Sequence, residues 1–299
     1  MAPATSTPTN ASTRTKARAA VPFRFFDLRV VRRERLGPTM VRVTFGGGLD
    51  DLTTGGRDQR IKLFLPHAGQ AAPVVPTESG DQWFAQWRAM DPAVRGIMRS
   101  YTVSEQRREP PELDIDFALH GDNGPASRWA ARARPGDRVT VLAPVVEDNA
   151  GIDFRPPAQT QWILLSADET AQPAVAGILA WLPAGVPVRA WIEVATPGDI
   201  RTLPMRADAE VTWLVREGAT GRRTNLVVDA VRAAVLPSGT PYVWIAGEAG
   251  AVRALRRHLV CGRGFDRRQV TFTGYWRLGA TDEELVAEAV SGTTPREND

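Results

Sequence analysis

The strongest constraint on this fold is a change of rhythm midway along the chain. Ahead of it, residues 23–31, 40–45, 61–65, 99–103, 113–119 and 138–142 form short runs rich in Val, Ile, Leu and Phe. Gly, Pro and Asp separate them, as turn residues separate strands. Six strands at this spacing predict a small antiparallel barrel. Behind it, strand-like runs at 162–165, 188–194, 211–215, 243–246 and 270–275 alternate with helical runs at 170–182, 224–236 and 249–260. Such alternation predicts a parallel sheet covered on both faces. The polar, proline-containing stretch 146–160 joins the two patterns. The expected fold is therefore two-domain β + α/β. A six-stranded antiparallel barrel domain spans 21–146, and an open parallel-sheet α/β domain with a C-terminal helix spans 160–299.

Finer signals fill in this outline. Pro125 sits where a first helical turn tolerates proline, residues 126–133 are fair helix formers, and Pro135-Gly136-Asp137 stops them. Trp83 and Trp87 form an i, i+4 pair able to pack as a helical turn. Thr224 and Thr170 are expected as N-caps, and Thr281 with Glu284 three residues on predicts a capping box.

Composition excludes several function classes. The one cysteine, Cys261, rules out a disulfide framework and a cluster ligated within the chain. No His, Cys and carboxylate grouping has metal-ligand spacing, so no resident metal is expected. No run approaches the roughly 20 apolar residues that span a bilayer. The net charge of +3 equals the contribution of Arg14, Lys16 and Arg18 in a tail without acidic residues. The body is balanced, which argues against a nucleic-acid partner. The tail, residues 1–20, lacks an apolar segment for secretion and reads as disordered. A cytoplasmic monomer is expected.

Two motifs carry chemistry. Arg99-Ser100-Tyr101-Thr102 brings a cation, a flat ring and a hydroxyl onto one strand. A flavin needs a cation near its pyrophosphate, a ring against its isoalloxazine and a hydrogen-bonding group at N5. Alternation along the strand is expected to supply all three from one face. The second motif runs from His120 through Gly124 and Ala126 to Ser127, after a strand and into a helix. Its glycines allow close backbone approach, and free amides at a helix start favour an anion such as pyrophosphate.

The segments LDIDFALHGDNGPASRWAARARPGD, RSYTV and YVWIAGEAGAVRALRRHL, with GYWRLG beyond, resemble the siderophore-interacting protein family. That family lies within the ferredoxin–NADP reductase-like superfamily. The resemblance covers about residues 22 to 290 and implies FAD in the barrel, NADPH, NADH or a ferredoxin as electron donor, and a ferric siderophore as acceptor. It places Arg99 on the FAD phosphates with Ser100 beside it, Tyr101 on the ring and Thr102 at N5, the last two being catalytic. It places Asp116, Phe117, His120, Gly124, Ala126 and Ser127 around the rest of FAD. The sequence departs at Ser104, where relatives often carry a second arginine.

On the nicotinamide side, Ser166 to Ala174 resembles the family's Gly-Asp-Glu-Thr-Ala loop, with Ser166-Ala167 replacing the usual glycine. Asp168, Glu169 and Thr170 are implied to line the cofactor cleft. Gly247 and Glu248 form the matching loop further on, with Gly247 leaving room for the nicotinamide. Glu193 ends a sheet strand, where an acid meets a ribose hydroxyl and disfavours a 2′-phosphate. Arg216, after the next strand, is placed to recruit that phosphate instead, so NADH and NADPH both stay open. Trp276, with Tyr275, is placed to stack on the flavin or shield it. Lys62, Arg128 and Arg277 are the candidate cations for an anionic siderophore. Two other readings remain open: a reductase of the same architecture with another acceptor, and a non-enzymatic siderophore-binding protein.

Overall fold

The computed structural model describes residues 22–119, 124–217 and 226–291. Six strands build the first half: β1 (Phe23–Arg35), β2 (Met40–Gly46), β3 (Arg60–Leu65), β4 (Ile97–Arg108), β5 (Pro111–Ala118) and β6 (Arg138–Pro144). They close in the order β1-β2-β5-β4-β3-β6, so the barrel has no free edge. The pairings are antiparallel. Strand alternation drives one side chain in two inward. Leu28, Val43, Phe45, Leu63, Ile115 and Val141 meet in the interior. Helix α1 (Trp83–Ala89) covers part of the outside. Trp83 and Trp87, one turn apart, pack edge-on against Phe64. Helix α2 (Pro125–Arg132) begins at its proline, and Ala126 and Ala130 bury against the barrel core.

The second half comprises β7 (Trp162–Ala167), α3 (Gln172–Trp181), β8 (Pro187–Val194), β9 (Asp208–Val215), α4 (Leu226–Ala233), β10 (Pro241–Glu248), α5 (Ala249–Arg257) and β11 (Val270–Trp276). The strands are parallel in the order β11-β10-β7-β8-β9. All of β7 is buried. Ile163 and Leu165 face α3, while Trp162 and Leu164 face α4 and α5. A strand covered on both faces must be apolar throughout, which is why this segment reads as a continuous run. The last helix, α6 (Asp282–Ser291), follows β11. No described helix is long and apolar enough to cross a membrane.

Several boundaries differ from expectation. β1 runs on to Arg35 and β4 to Arg108, through charged residues that no apolar pattern marks. Pairing across the sheet holds them, reinforced by Glu112. Its carboxylate accepts from both Arg32 nitrogens, Nη1 at 2.5 Å and Nη2 at 2.8 Å, and from Arg107 Nη2 at 2.8 Å. Thr170 does not cap α3; its hydroxyl donates to Asp168 and the helix starts two residues later. Thr224 lies outside the described residues. The box at α6 is formed, with Thr281 N donating to Glu284 Oε2 at 2.7 Å and Glu284 N to Thr281 Oγ1 at 3.3 Å.

The connection between the halves is built into their interface. Asp58, ahead of β3, accepts from the amides of Asp153 and Phe154 and from Trp244 Nε1 of β10 at 2.9 Å. Burial pushes its carboxyl up, and the Phe154 amide and the Trp244 indole counter it. Gly177 of α3 sits against the Arg57 backbone so closely that a Cβ would lie 2.2 Å from the Arg57 carbonyl oxygen. At a second point Thr39 N donates to Asp199 Oδ1 at 2.9 Å.

Candidate functional site

Strand β4 carries the first cluster. Its register pairs Arg99 with Leu63 and Tyr101 with Ile61, so these four share the inward face. Ser100 pairs with Lys62 and Thr102 with Arg60, on the opposite face. The one-face expectation for Arg99, Tyr101 and Thr102 is therefore corrected. Residues one apart in a strand point to opposite sides, and the threonine follows the tyrosine directly.

Arg99 is buried, with Nη1 donating to the Met98 carbonyl and Nη2 to Glu283 Oε1 of α6, each at 2.8 Å. The Tyr101 ring lies 4.4 Å from that of Phe117. Phe117 is wholly buried in the barrel, so it is the floor under Tyr101 and does not reach the cleft. Lys62 Nζ donates to Ser100 Oγ at 2.7 Å. Burial pushes up the pKa of the Tyr275 hydroxyl at the end of β11, and the neighbouring Thr102 side chain counters it. This approach brings the barrel strand to the edge strand of the parallel sheet. Ser104 Oγ is buried with no described partner.

Asp116 has another role than the resemblance implies. Its carboxylate has no exposed surface and is taken up by Arg42 Nε at 2.7 Å and Arg201 Nη1 at 3.1 Å. The second of these ties the barrel to the loop beyond β8. At α2, Gly124 is the extended residue before Pro125, and no described side chain caps the first turn. Ala126 and Ser127 are buried there, leaving the helix start with its positive end. Arg128 is exposed on the other side of the helix. His120 lies outside the described residues. A buried guanidinium on β4, a half-buried ring beside it and a helix start that no described side chain caps suit the phosphates and flat ring of FAD. Arg99, Tyr101, Ala126 and Ser127 are the residues that would hold it.

The second cluster stands at the carboxyl ends of the parallel strands. A cleft of about 310 Å³ opens there, lined by Ser166, Asp168, Glu193, Gly247, Glu248 and Leu278 among others. Asp168 is its hub. Its carboxylate accepts from Thr170 N at 2.9 Å and Thr170 Oγ1 at 2.5 Å, from Glu248 N at 2.9 Å and from Trp276 Nε1 at 2.8 Å. Burial, then the charge of Glu169, pushes its pKa up. Gly247 has φ +139°, and a Cβ there would come within 2.7 Å of Asp168 Oδ2. The glycine makes room for Asp168 directly, and it also lines the cleft. Glu248 caps α5, with Oε2 accepting from Ala251 N at 2.9 Å. The Trp276 indole is tied to Asp168 and so held at the cleft's edge. Arg216, just past β9, is bound by Glu169 and Glu193.

The candidate substrate cations come from three different elements. Lys62 is on β3, Arg128 on α2, and Arg277 follows β11, bound by Glu288 of α6 through two bonds of 2.7 Å. Two carboxylates of α6 thus engage Arg277 and, through Glu283, Arg99. Sequence reasoning does not find Glu283, Glu288, Asp58 or Arg201. Each is an ordinary charged residue whose partner lies elsewhere in the fold, and no local spacing marks it. No group of three His, Cys, Asp or Glu among the described residues is placed to hold a metal ion. Iron would enter as part of the substrate.

Comparison with known proteins agrees with this geometry. Residues 29–148 match the siderophore-interacting FAD-binding domain, and residues 160–279 match the siderophore-interacting protein model. The crystal structure of a siderophore utilization protein from T. fusca superposes with a TM-score of 0.74 at 37% identity, covering 87% of this chain and 95% of that one. The NADPH-dependent ferric-chelate reductase of Escherichia coli is 31% identical over 265 residues, 85% of this chain and 93% of the relative. A ferredoxin reductase of carbazole 1,9a-dioxygenase, 15% identical, shares the fold with a TM-score of 0.59 over 86% of this chain and 71% of its own. Barrel, parallel sheet and both family matches together make this chain a member of the siderophore-interacting protein family, with the ferredoxin reductase-like fold.

Proposed function

We propose that the protein is an FAD-dependent oxidoreductase that takes a hydride from NADH or NADPH and reduces ferric siderophores, releasing ferrous iron. FAD, when bound, converts a two-electron donor into a source of single electrons for iron. The observation that carries the proposal is the approach of the Thr102 side chain of β4 to the buried Tyr275 hydroxyl at the end of β11. It sets the strand bearing Arg99 and Tyr101 against the end of β11, one edge of the sheet whose strand ends form the second cleft.

The chain's own residues then divide the work. Arg99 and the start of α2 bind phosphate, and Tyr101 packs along the ring. Thr102, beside Tyr275, offers a hydroxyl at the meeting point of the two clusters. Asp168 orients Trp276 and the Gly247–Glu248 turn, so that the cleft keeps its shape and water is kept from its edge. Lys62 and Arg277 supply positive potential for an anionic iron chelate. Ferrous iron binds hard oxygen donors less strongly than ferric iron, which lets it leave the chelate.

The test is spectroscopic. The purified protein, supplied with FAD, should show flavin absorption that bleaches with NADH or NADPH under anaerobic conditions and returns on adding a ferric siderophore. Failure to bind FAD would overturn the cofactor. Bleaching without recovery by any ferric complex would leave a flavin reductase with another acceptor.

A further inference from the structure

The cluster around Arg216 bears on which nicotinamide dinucleotide the cleft accepts, a question that rests on the donor proposed above. Three neighbouring strands contribute to it. Glu169 follows β7, Glu193 is the penultimate residue of β8, and Arg216 is the first residue past β9. In a parallel sheet of this kind the dinucleotide lies across the carboxyl ends of the strands. There an acid receives ribose hydroxyls and an arginine receives a 2′-phosphate. Both residue types are present here, and they are bonded to each other.

Arg216 Nη1 donates to Glu169 Oε2 and to Glu193 Oε1, both at 2.8 Å, and Nη2 donates to Glu169 Oε1 at 2.5 Å. The backbone amide of Arg216 donates to the Val194 carbonyl at 2.9 Å, which fixes the root of the side chain. The side chains of Glu169 and Glu193 are 3% and 8% exposed and that of Arg216 is 19% exposed. A guanidinium held by two buried carboxylates has no surplus charge to offer a phosphate. Adding Asp168, the cluster has three carboxylates to one guanidinium among the described residues, a balance that disfavours an incoming dianion.

Glu193 is only half used. Its Oε1 serves Arg216, while Oε2 has no hydrogen-bond partner among the described residues, and the side chain lines the cleft. A carboxylate oxygen open to a cleft, on a side chain otherwise buried, accepts from a donor such as a sugar hydroxyl and rejects an anion.

We infer that this chain selects NADH over NADPH, with Glu193 accepting a ribose hydroxyl and Arg216 withheld from any 2′-phosphate by Glu169 and Glu193. The two carboxylates are thus specificity-determining residues that act by neutralising the arginine beside them.

The experiment is calorimetric titration of the full-length, FAD-loaded protein with NAD⁺ and NADP⁺, which bind without turnover, and with 5′-AMP and 2′,5′-ADP as fragments. The wild type should bind NAD⁺ about tenfold or more tighter than NADP⁺, the scale of a single charge-assisted hydrogen bond. Glu193→Gln should weaken NAD⁺ and strengthen NADP⁺. Glu169→Gln, which releases Arg216 without altering the cleft lining, should strengthen NADP⁺ and change NAD⁺ by less. Far-UV circular dichroism checks that each variant is folded, and the wild-type comparison stands without them. Equal or tighter binding of NADP⁺ or 2′,5′-ADP by the wild type overturns the inference. So does an unchanged preference in both folded variants. If neither dinucleotide binds while FAD does, the nicotinamide donor itself is overturned, and this inference with it.

Discussion

The two halves of the site handle charge in opposite ways. In the barrel, carboxylates sit among guanidinium groups and are held ionised. Hydrogen bonding from Arg32, opposed by burial and helped by Arg107, pulls Glu112 down to about 2. Asp114 is lowered too, Arg107 and Thr44 outweighing its burial. In the α/β cleft burial dominates. Glu193 is pushed up despite its bond to Arg216, and Asp168 is pushed up by burial and by Glu169. One half thus offers Arg99, bonded to the exposed Glu283, and a helix start, the other acids that enclose their one arginine. By this division a single fold would offer a cation to a pyrophosphate and acids to sugar hydroxyls.

The largest expected effect tests the cationic half. Arg99→Ala should lower FAD affinity about 10- to 100-fold, because a charge-assisted hydrogen bond is worth about 1.5–3 kcal/mol. Quenching of flavin fluorescence on titration measures it. Glu283→Gln, which removes the acid bound to that guanidinium, should move affinity the other way by a few-fold. Equal affinity in wild type and Arg99→Ala would break the contrast between the halves.

A smaller effect is expected at the boundary between them. Trp244→Phe removes one of the donors on the buried Asp58 carboxylate and should cost about 1–3 kcal/mol, the range for a buried acceptor left short of a partner. Thermal unfolding followed by circular dichroism reads it. If the two halves then melt in separate steps, Trp244 is a main link between them; an unshifted melt would show that Asp58 needs no indole.

The smallest effect is one of slope. The folded pKa of Glu112 lies below its ordinary 4.5. Its contribution is therefore complete above about pH 4.5 and is lost as pH falls toward 2. Glu112→Gln should flatten the stability profile across that window. Glu193 has the opposite sign. Its raised pKa means the folded state holds the proton more tightly, so its contribution declines as pH rises past the ordinary carboxylate range. Denaturant midpoints measured from pH 3 to pH 7 on the two Glu→Gln variants distinguish the signs.

The architecture is legible in the sequence because each half has its own period. Short alternating runs bounded by Gly, Pro and Asp are enough for a barrel, and the wholly apolar 162–165 segment is enough for a sheet covered on both sides. The motif Arg99 to Thr102 stands out for its residue types. Its geometry fails at Thr102, because adjacent residues cannot share a strand face. Asp116 and Phe117 sit within the right segment, yet one is consumed by Arg42 and Arg201 and the other lies beneath Tyr101. What stays hidden is whatever depends on partners distant in sequence. Nothing local says that Arg216 is spoken for by acids 23 and 47 residues away, or that Arg99 meets α6.

The same remoteness has a consequence for how the molecule is made. Asp58 and Trp244 are 186 residues apart. At about 5–20 residues per second of synthesis, the barrel side of this contact emerges roughly 10 to 40 s before its partner exists. The closed barrel contains every strand it needs and can form in that interval. Its docking face must then wait in water, and Asp58 suits the wait. A carboxylate is a costly thing to bury in the finished interface, but on a nascent domain it keeps an unfinished surface wet and discourages premature association. The polar character of the seam reads as a provision for the order in which its two sides appear.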